Sequence, residues 1–271
     1  AFGCAMAVAR GAAARYFLSW LNRFFHRFCA PEAAPRLVCC ASPMGFLHEA
    51  AHELVSVCIP SACVGCGRWD YSVCPRCAAL SYSLLPQWEL LDAGNVEYPL
   101  WELSDYSDPM RSIIVAAKHS SRLDLSEFLF DCGVNIGLSI AQSGMLSVGS
   151  DATSLWVVPA PASWKRRLFG QGITIHVARG VAAAVGGHSE VACCVRDACR
   201  LDPWVSSQAG KSSEQRRESR RGRMYMTEEV PRGVGVIGVD DVVASGGTMN
   251  EMFRVFESSW VAGACIARSR Q

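Results

Sequence analysis

Apolar positions along the chain follow two alternating patterns, continuous short runs and runs with helical spacing. Short runs at Leu155–Pro159 and Val234–Val239 predict central parallel strands that are covered on both faces. The segments with a helical spacing of apolar residues are Met110–Lys118, 123–146, Phe169–Val185 and Met249–Trp260. Strands that alternate with helices in this way predict an α/β fold, a parallel sheet flanked by helices.

Polar chemistry concentrates directly after the strand Val234–Val239. Asp240 and Asp241 fall at its carboxyl end, where open α/β sheets bind ligands, so we expect their carboxylates to accept hydrogen bonds from sugar hydroxyls. Ala244–Thr248 then offers backbone N–H groups, two glycines and two hydroxyls ahead of a helix N-terminus, which suits a phosphate. The pattern predicts a phosphorylated-ribose site. In the alternative, the acidic pair caps a strand and the glycines form an ordinary turn.

Two Cys-x-x-Cys pairs are separated by seven residues between positions 63 and 77. Four thiolates at such spacing can close a tetrahedron around Zn²⁺, and a closed site of this kind is structural. The predicted zinc ligands are Cys63, Cys66, Cys74 and Cys77. Two redox pairs or disulfides are the alternatives.

Composition narrows the class of protein. The chain has 271 residues, half of them hydrophobic, and a formal net charge of +1, so the whole molecule lacks a polyanion-binding signature. Its fourteen cysteines lie mostly singly or in adjacent pairs within apolar stretches, which favours a reducing, cytoplasmic location over a disulfide framework. No apolar run reaches the length that a transmembrane helix needs.

The predicted domain organisation has three parts. Residues 1–43 form a basic N-terminal extension, either genuine, with an amphipathic helix at Ala14–Phe28, or not native to the domain. Residues 44–95 contain a helix and the zinc ribbon, and 96–271 form the main α/β domain. Within it, the polar and basic segment 202–226 is expected to be either a mobile loop that closes over an anionic ligand or a solvated excursion.

Several motifs occur in an order that resembles the ComF-type, competence-associated phosphoribosyltransferases, a family of the type I phosphoribosyltransferase superfamily. The resemblance covers roughly residue 46 to the end of the chain. The motifs that carry it are Pro60-Ser-Ala-Cys63 with the cysteine ribbon, Tyr106-x-x-Pro-Met-Arg111 followed by Lys118, Val157-Val-Pro-Ala-Pro161 with Arg167-x-Phe-x-Gln171, Gln208 ahead of Gln215-Arg-Arg217, and the acidic pair with its glycine turn.

The resemblance implies a type I phosphoribosyltransferase fold that binds phosphoribosyl pyrophosphate or ribose 5-phosphate with Mg²⁺. Asp240 and Asp241 would hold the ribose hydroxyls, while Ala160 and Pro161 belong to the turn expected to face pyrophosphate. The 5′-phosphate positions are Ala244, Ser245, Gly246, Gly247 and Thr248. The candidate cations for pyrophosphate are Arg167, Lys211, Arg216 and Arg217, and the other family-matched positions are Lys118 and Gln171.

Some positions depart from the family pattern. Arg167-Leu-Phe-Gly-Gln171 stands where Arg-Gly-Phe-Asn-Gln is usual, Lys118 is followed by His-Ser-Ser rather than x-x-Gly, and Ala244 replaces a common threonine. These changes affect transfer chemistry more than ligand binding. One hypothesis is therefore a phosphoribosyltransferase of unknown acceptor. The other is a non-catalytic ribose-phosphate sensor of a competence complex, with single-stranded DNA or a DNA-uptake helicase as partner. The sequence also allows a homo-oligomer.

Overall fold

A computed structural model describes residues 62–94, 96–120, 123–146, 154–162, 172–189, 191–202 and 222–270. All of these residues belong to one structural unit that spans Pro60–Gln271. The predicted N-terminal extension 1–43 and the helix expected after it lie outside the described residues. Among the helices described, none has the length and apolar character needed to cross a bilayer.

A six-stranded, mostly parallel sheet organises the described part of the chain, with strand order β1-β2-β8-β7-β3-β4. Its strands are β1 Gln87–Asp92, β2 Glu97–Asp105, β3 Ser154–Pro159, β4 Ala192–Val195, β7 Val234–Val243 and β8 Trp260–Arg268. All neighbouring pairs are parallel except β1 and β2, which form an antiparallel hairpin at one edge. A separate antiparallel pair joins β5 Cys199–Leu201 to β6 Met224–Met226.

Helices cover both faces of this sheet, as the continuous apolar strands require. They are α1 Pro75–Ala78, α2 Leu80–Ser83, α3 Met110–His119, α4 Ser126–Gln142, α5 Thr174–His188 and α6 Gly247–Phe256, and a short 3₁₀ turn Glu257–Ser259 follows α6. Residues of α3, α4 and α5 share one apolar core with Val157, Ile237 and Ala264 of the strands. Residues of α6 contribute to the apolar clusters that include Val158 and Leu100. The predicted α/β class with a mostly parallel sheet is confirmed.

Glycines bring α4 and α5 into close contact. A Cβ on Gly133 would stand 2.1 Å from the carbonyl oxygen of Val177, and one on Gly180 would stand 2.1 Å from that of Phe130. Real side chains do not approach a backbone oxygen so closely, so each position admits only glycine unless the helices separate. This close packing fixes α5, whose first residue, Thr174, contacts the carbonyl oxygen of Ala160 after β3.

The cysteine ribbon is part of the same core. Cys63, Cys74 and Cys77 are almost fully buried and pack with apolar residues of α3 and α4. Gly65 lies between the ribbon and α3, since a Cβ there would come within 2.8 Å of Cys77 Sγ and 3.1 Å of Ile113 Cδ1. The ribbon is therefore packed against the helix α3 rather than extended from the domain.

Four features differ from the sequence-based expectations. Strand β7 continues through Val243 instead of ending at Val239, because β8 pairs with it as far as Val243 opposite Arg268. Trp260 begins β8 rather than ending the preceding helix. The end of the predicted loop forms β6, which pairs with β5. The edge strand β1, which the sequence pattern did not indicate, pairs with β2 across the expected boundary at residue 95.

Candidate functional site

The acidic pair lies where β7 loses one of its two neighbours. Pairing between β3 and β7 ends at Pro159 opposite Val239, whereas β8 continues beside β7 beyond that point. Asp240 and Asp241 therefore occupy an edge of β7 that β3 no longer covers, at the carboxyl end of the parallel strands. Ligands bind at this end of open α/β sheets. The pair thus lies inside the strand, on the part of its edge that extends beyond its pairing with β3.

Lys118, at the end of α3, reaches this strand directly. Its Nζ donates a hydrogen bond to Asp241 Oδ1 at 2.6 Å, and the two side chains are only 17% and 12% exposed. A mostly buried carboxylate is costly without a partner, and the ammonium group compensates its charge. Asp241 is therefore held in place as a hydrogen-bond acceptor that faces α3.

Asp240 points to the opposite face of the sheet, because successive side chains alternate along a strand. In register, it lies opposite Cys265 of β8, which in turn lies opposite Glu102 of β2. The Asp240 carboxylate also accepts a hydrogen bond from the backbone N–H of Asp241 at 2.8 Å. The two carboxylates are thus fixed by different neighbours, one by a lysine and the other by the backbone.

Gly246 forms the turn that leads from β7 into α6. Its φ of 75° is in the left-handed region that favours glycine, and its carbonyl oxygen accepts the N–H of Asn250 at 2.8 Å. The first N–H groups of α6 have no partner within a helix, and the helix dipole adds positive potential there. A left-handed turn ahead of a helix N-terminus is compatible with anion binding, and the phosphate-binding roles of Ala244, Ser245, Gly246, Gly247 and Thr248 remain predictions.

Arg268 supports the backbone just ahead of this turn. Its Nη1 donates to the carbonyl oxygens of Val243 at 3.4 Å and Ala244 at 3.2 Å, while its Nε donates to Glu89 Oε1 at 2.9 Å. The sequence analysis missed this residue. The signal that could have identified it is its position at the carboxyl end of a buried strand.

Asn250 connects the first turn of α6 to the edge hairpin. It accepts a hydrogen bond from Tyr98 Oη at 2.6 Å, and its Nδ2 donates to the carbonyl oxygen of Asp92 at 2.9 Å. Tyr98 also stacks on Phe253, with ring centroids 4.8 Å apart. Burial raises the pKa of Tyr98 far above its usual value, so the phenol stays a donor. These contacts hold the N-terminal half of α6 against β1 and β2.

The predicted pyrophosphate turn leaves the sheet beside the acidic pair. The Ala160 N–H donates to the carbonyl oxygen of Val239 at 2.7 Å, so Ala160 and Pro161 begin next to Asp240. The Ala160 carbonyl oxygen accepts the Thr174 hydroxyl at 3.3 Å, which joins the turn to the start of α5. The structure therefore brings the β3 turn, Lys118, the acidic pair and the glycine turn to one edge of the sheet.

The remaining predicted site residues lie outside the described part of the chain. They are Arg167, Gln171, Lys211, Arg216 and Arg217. Their roles stay predictions.

The base of the basic segment is attached to α6. The Asp202 N–H donates to the carbonyl oxygen of Arg223 at 2.9 Å. The adjacent residues, Leu201 of β5 and Met224 of β6, are paired in the antiparallel ladder. The Gly222 N–H donates to Glu251 Oε2 at 2.9 Å, and Glu251 is almost fully buried. Arg254 forms an ion pair with Glu251 and donates to the Met224 carbonyl oxygen. Both ends of the segment are thus anchored near the helix that begins at the glycine turn.

The four ribbon cysteines form a cluster whose sulfur atoms all lie within 4.8 Å of one another. Cys66 Sγ and Cys74 Sγ are 3.6 Å apart, too far for a disulfide, and all four thiols are free. A tetrahedral zinc site with Zn–S bonds of about 2.3 Å has sulfurs about 3.8 Å apart, so the cluster fits a structural metal such as zinc.

Backbone donors around the cluster favour thiolates. Burial raises the pKa of Cys63, but backbone N–H groups of Cys74, Cys66 and Gly65 outweigh this effect and bring it to about 6. The Cys74 N–H donates to Cys63 Sγ at 3.3 Å. Hydrogen bonds of this kind orient metal ligands from outside the first coordination shell. The pKa of Cys77 is raised by burial, and a bound cation would reverse that effect.

Comparisons with known proteins found a likeness among solved structures. No protein-family model and no curated protein sequence matches the chain significantly. Among solved structures, the hypoxanthine-guanine phosphoribosyltransferase of L. donovani is similar over 52% of this chain and 67% of its own, with 16% sequence identity and a TM-score of 0.31. A TM-score this low does not define a shared fold. The site described above rests on the geometry of the chain itself.

Proposed function

We propose that this protein binds phosphoribosyl pyrophosphate or ribose 5-phosphate together with Mg²⁺ and acts as a phosphoribosyltransferase of ComF type. One observation carries the proposal: a lysine-paired acidic pair directly precedes a left-handed glycine turn and a helix N-terminus, at the carboxyl edge of a parallel sheet. Carboxylates accept hydrogen bonds from sugar hydroxyls, and a helix N-terminus favours a phosphate through its dipole and its backbone N–H groups.

The division of work follows from the positions of these groups. Asp240, on the face of the sheet that α6 covers, would accept a hydrogen bond from a ribose hydroxyl, and the turn around Gly246 would hold the 5′-phosphate. Asp241, on the other face, would keep its ion pair with Lys118. The turn at Ala160 and Pro161 would face the diphosphate. Mg²⁺, which keeps most of its own water and phosphate ligands, would supply positive charge beside the diphosphate oxygens.

Transfer would break the bond from the anomeric carbon to the diphosphate oxygen and form a bond from that carbon to a nitrogen of the acceptor. The diphosphate leaves with the bonding electron pair, and the acceptor nitrogen loses a proton. The protein contributes positioning and charge neutralisation to such a reaction. The basic segment, anchored at Glu251 beside the first turns of α6, is the proposed source of Lys211, Arg216 and Arg217 for the leaving diphosphate.

The test is incubation of the purified protein with Mg²⁺, labelled phosphoribosyl pyrophosphate and a panel of bases, amines and nucleotides. We expect acceptor-dependent release of pyrophosphate by the wild type and by a Glu228→Gln/Glu229→Gln control, in which two adjacent exposed carboxylates are neutralised. The Asp240→Asn/Asp241→Asn variant should be inactive. Equal pyrophosphate release by all three proteins, or none with any acceptor, would contradict transferase activity.

A second candidate function is binding without transfer. It is favoured by Arg167-Leu-Phe-Gly-Gln171, which lacks the usual glycine and asparagine of the family motif. In this form, the protein would sense a ribose phosphate within a competence complex and contact single-stranded DNA or a DNA-uptake helicase through Lys211–Arg223. A gel shift with single-stranded DNA across a salt series tests this partner, since phosphate contacts weaken as salt rises.

Two further features complete the proposal. The cysteine cluster would hold structural zinc, which supplies folding energy to the ribbon and takes no part in transfer. A cytoplasmic location is proposed because the cysteines in the described part of the chain are all free thiols.

A further inference from the structure

A cavity lies beside the end of β2, and neither residue of the acidic pair lines it. Its volume is about 380 Å³, within the range of sites for small molecules. Strand β1 begins at Gln87 opposite Glu102, so among the described residues no strand covers the edge of β2 beyond Glu102. The cavity occupies this uncovered edge, between α2 and the turn that leads from β2 into α3.

Glu102 gives the cavity an unsatisfied polar atom. The residue is only 3% exposed, it lines the cavity, and its Oε1 accepts a hydrogen bond from Arg270. Its other oxygen, Oε2, is buried and has no hydrogen-bond partner among the described residues. Buried carboxylate oxygens are rarely left in this state, because the lost hydration is not replaced. A ligand with an N–H or O–H group could supply the missing hydrogen bond.

The charge of the residues that line the cavity indicates which kind of ligand could donate this hydrogen bond. Glu102, Asp105 and Asp108 contribute three carboxylates, and Arg270 is the one cation among the lining residues. Arg270 already pairs with Glu102 and Asp105, and Asp108 Oδ1 accepts the Ser112 hydroxyl at 2.5 Å. The lining therefore keeps a net negative charge, which favours a cationic donor over a neutral or anionic one. Burial raises the pKa of Glu102, as expected for a carboxyl with incomplete pairing.

Apolar side chains form another part of the wall, which also includes the uncharged polar residues Gln87, Ser104 and Ser107. Leu80, Leu84, Leu103 and Met110 line the cavity on the side of the ribbon and α3. They offer contact area to a hydrocarbon or aromatic body but no polar group. The cavity thus combines one buried acceptor, a negative lining and an apolar wall.

We propose that this cavity is a binding site for a small organic cation, an amine or amidine with an apolar body, whose N–H group donates to Glu102 Oε2. The site is independent of the ribose-phosphate site and does not require transferase activity. Binding would satisfy the buried oxygen of Glu102 and offset the excess negative charge of the lining.

The experiment is a calorimetric or NMR titration of the full chain with benzamidine and 2-phenylethylamine, beside benzoate and benzyl alcohol as anionic and neutral probes of similar shape. We expect saturable binding of the two cations only. Glu102→Gln keeps the volume of the side chain and should weaken cation binding about tenfold or more. Glu89→Gln is the matched control, because Glu89 pairs with Arg268 and Arg270 but does not line the cavity.

A second variant keeps the test valid if Glu102→Gln fails to fold. Gln87 is exposed and lines the cavity, so Gln87→Trp should block it sterically and abolish cation binding without loss of stability. Equal affinity for benzamidine and benzoate, unchanged cation binding by the Gln87→Trp variant, or no saturable cation binding up to about 5 mM would overturn the proposal.

Discussion

The Nζ of Lys118 lies 2.6 Å from Oδ1 of Asp241, although 123 positions separate the two residues in the sequence. Lys118 ends α3, and the same helix carries Ile113, which packs beside Gly65 of the cysteine ribbon. One helix therefore contacts both the cysteine cluster and the acidic pair. The departure from the family pattern after Lys118, a serine in place of glycine at position 121, lies outside the described residues, and Lys118 itself reaches Asp241.

The Lys118–Asp241 pair should contribute measurably to folding. We expect Lys118→Met and Asp241→Asn each to lower the free energy of unfolding by about 2 kcal/mol, because each leaves a mostly buried charge without its partner. The double variant removes both charges and should lose less than the sum of the two, by about 1 kcal/mol or more. Urea denaturation of the four proteins measures this coupling.

The matched control for this cycle is the Arg200–Asp197 pair, which lies nearer the surface with side chains 21% and 55% exposed. Its coupling should stay below about 1 kcal/mol. Additive effects of Lys118→Met and Asp241→Asn would mean that the two side chains do not interact in solution.

Removal of the metal should destabilise the whole described domain. Cys63, Cys74 and Cys77 are part of the main apolar core, so a ribbon that unfolds exposes residues of α3 and α4 as well. We expect one zinc ion per chain by elemental analysis, and a large fall in the melting temperature after chelation or in Cys74→Ser.

Cys132 provides the control for the cysteine substitutions. It is fully buried, lies outside the cluster, and burial raises the pKa of its thiol strongly. Cys132→Ser should therefore lower stability without any change in the zinc content. Zinc bound in equal amount by wild type and Cys74→Ser would show that the cluster is not the metal site.

Gly246 should be required for both the turn and anion binding. Its φ of 75° costs a non-glycine residue about 1–2 kcal/mol, while a Cβ there would meet Leu91 at an ordinary 3.4 Å. Gly246→Ala should thus lower stability through backbone strain and weaken ribose 5-phosphate binding several-fold. Gly172→Ala, where a Cβ meets nothing within 4 Å, is the neutral control. Equal affinity of the Gly246→Ala and Gly172→Ala variants for ribose 5-phosphate would show that the turn around Gly246 does not bind the phosphate.

The titration of Asp131 should make the stability of the protein depend on pH. Burial, together with the charge of Glu127 one turn earlier, raises its pKa in the folded protein. Its ionised form is therefore disfavoured by folding at neutral pH, and this penalty disappears as pH falls through the raised pKa. Asp131→Asn should increase the melting temperature at pH 7, with a difference from wild type that shrinks in acid.

Asp124 should behave in the opposite way. Hydrogen bonds from Ser126 lower its pKa, so its contribution to stability is present at neutral pH and is lost in acid. Asp124→Asn should decrease the melting temperature at pH 7. If Asp131→Asn and Asp124→Asn changed the melting temperature at pH 7 in the same direction, the opposite pKa shifts assigned to the two carboxyl groups would be wrong.

Local sequence patterns predicted the main strands because each buried run is continuous and its neighbours in the sheet impose the same requirement. The turn around Gly246 and the four-cysteine cluster could also be predicted from the sequence, since both depend on residues that are close in the chain. The strand β7 was predicted too short because Asp240 and Asp241, which interrupt its apolar run, are polar. Pairing with β8, which the local pattern does not contain, keeps them in the strand.

Long-range contacts were beyond the sequence pattern. The Lys118–Asp241 ion pair, the Tyr98–Asn250 hydrogen bond and the support of Ala244 by Arg268 each join residues far apart in the chain. The edge strand β1 was also missed, because Trp88 and Leu90 are exposed and its pattern does not alternate as a half-buried strand would.

The most direct test of the central claim is a calorimetric titration of the protein with ribose 5-phosphate in the presence of Mg²⁺. The account predicts saturable binding of one molecule per chain, unchanged in Glu228→Gln/Glu229→Gln and weakened about tenfold or more in Asp240→Asn/Asp241→Asn, since the charge-assisted contact of Asp240 is lost. Absence of binding by the wild type up to about 5 mM, or equal affinity in the Asp240→Asn/Asp241→Asn variant, would contradict it.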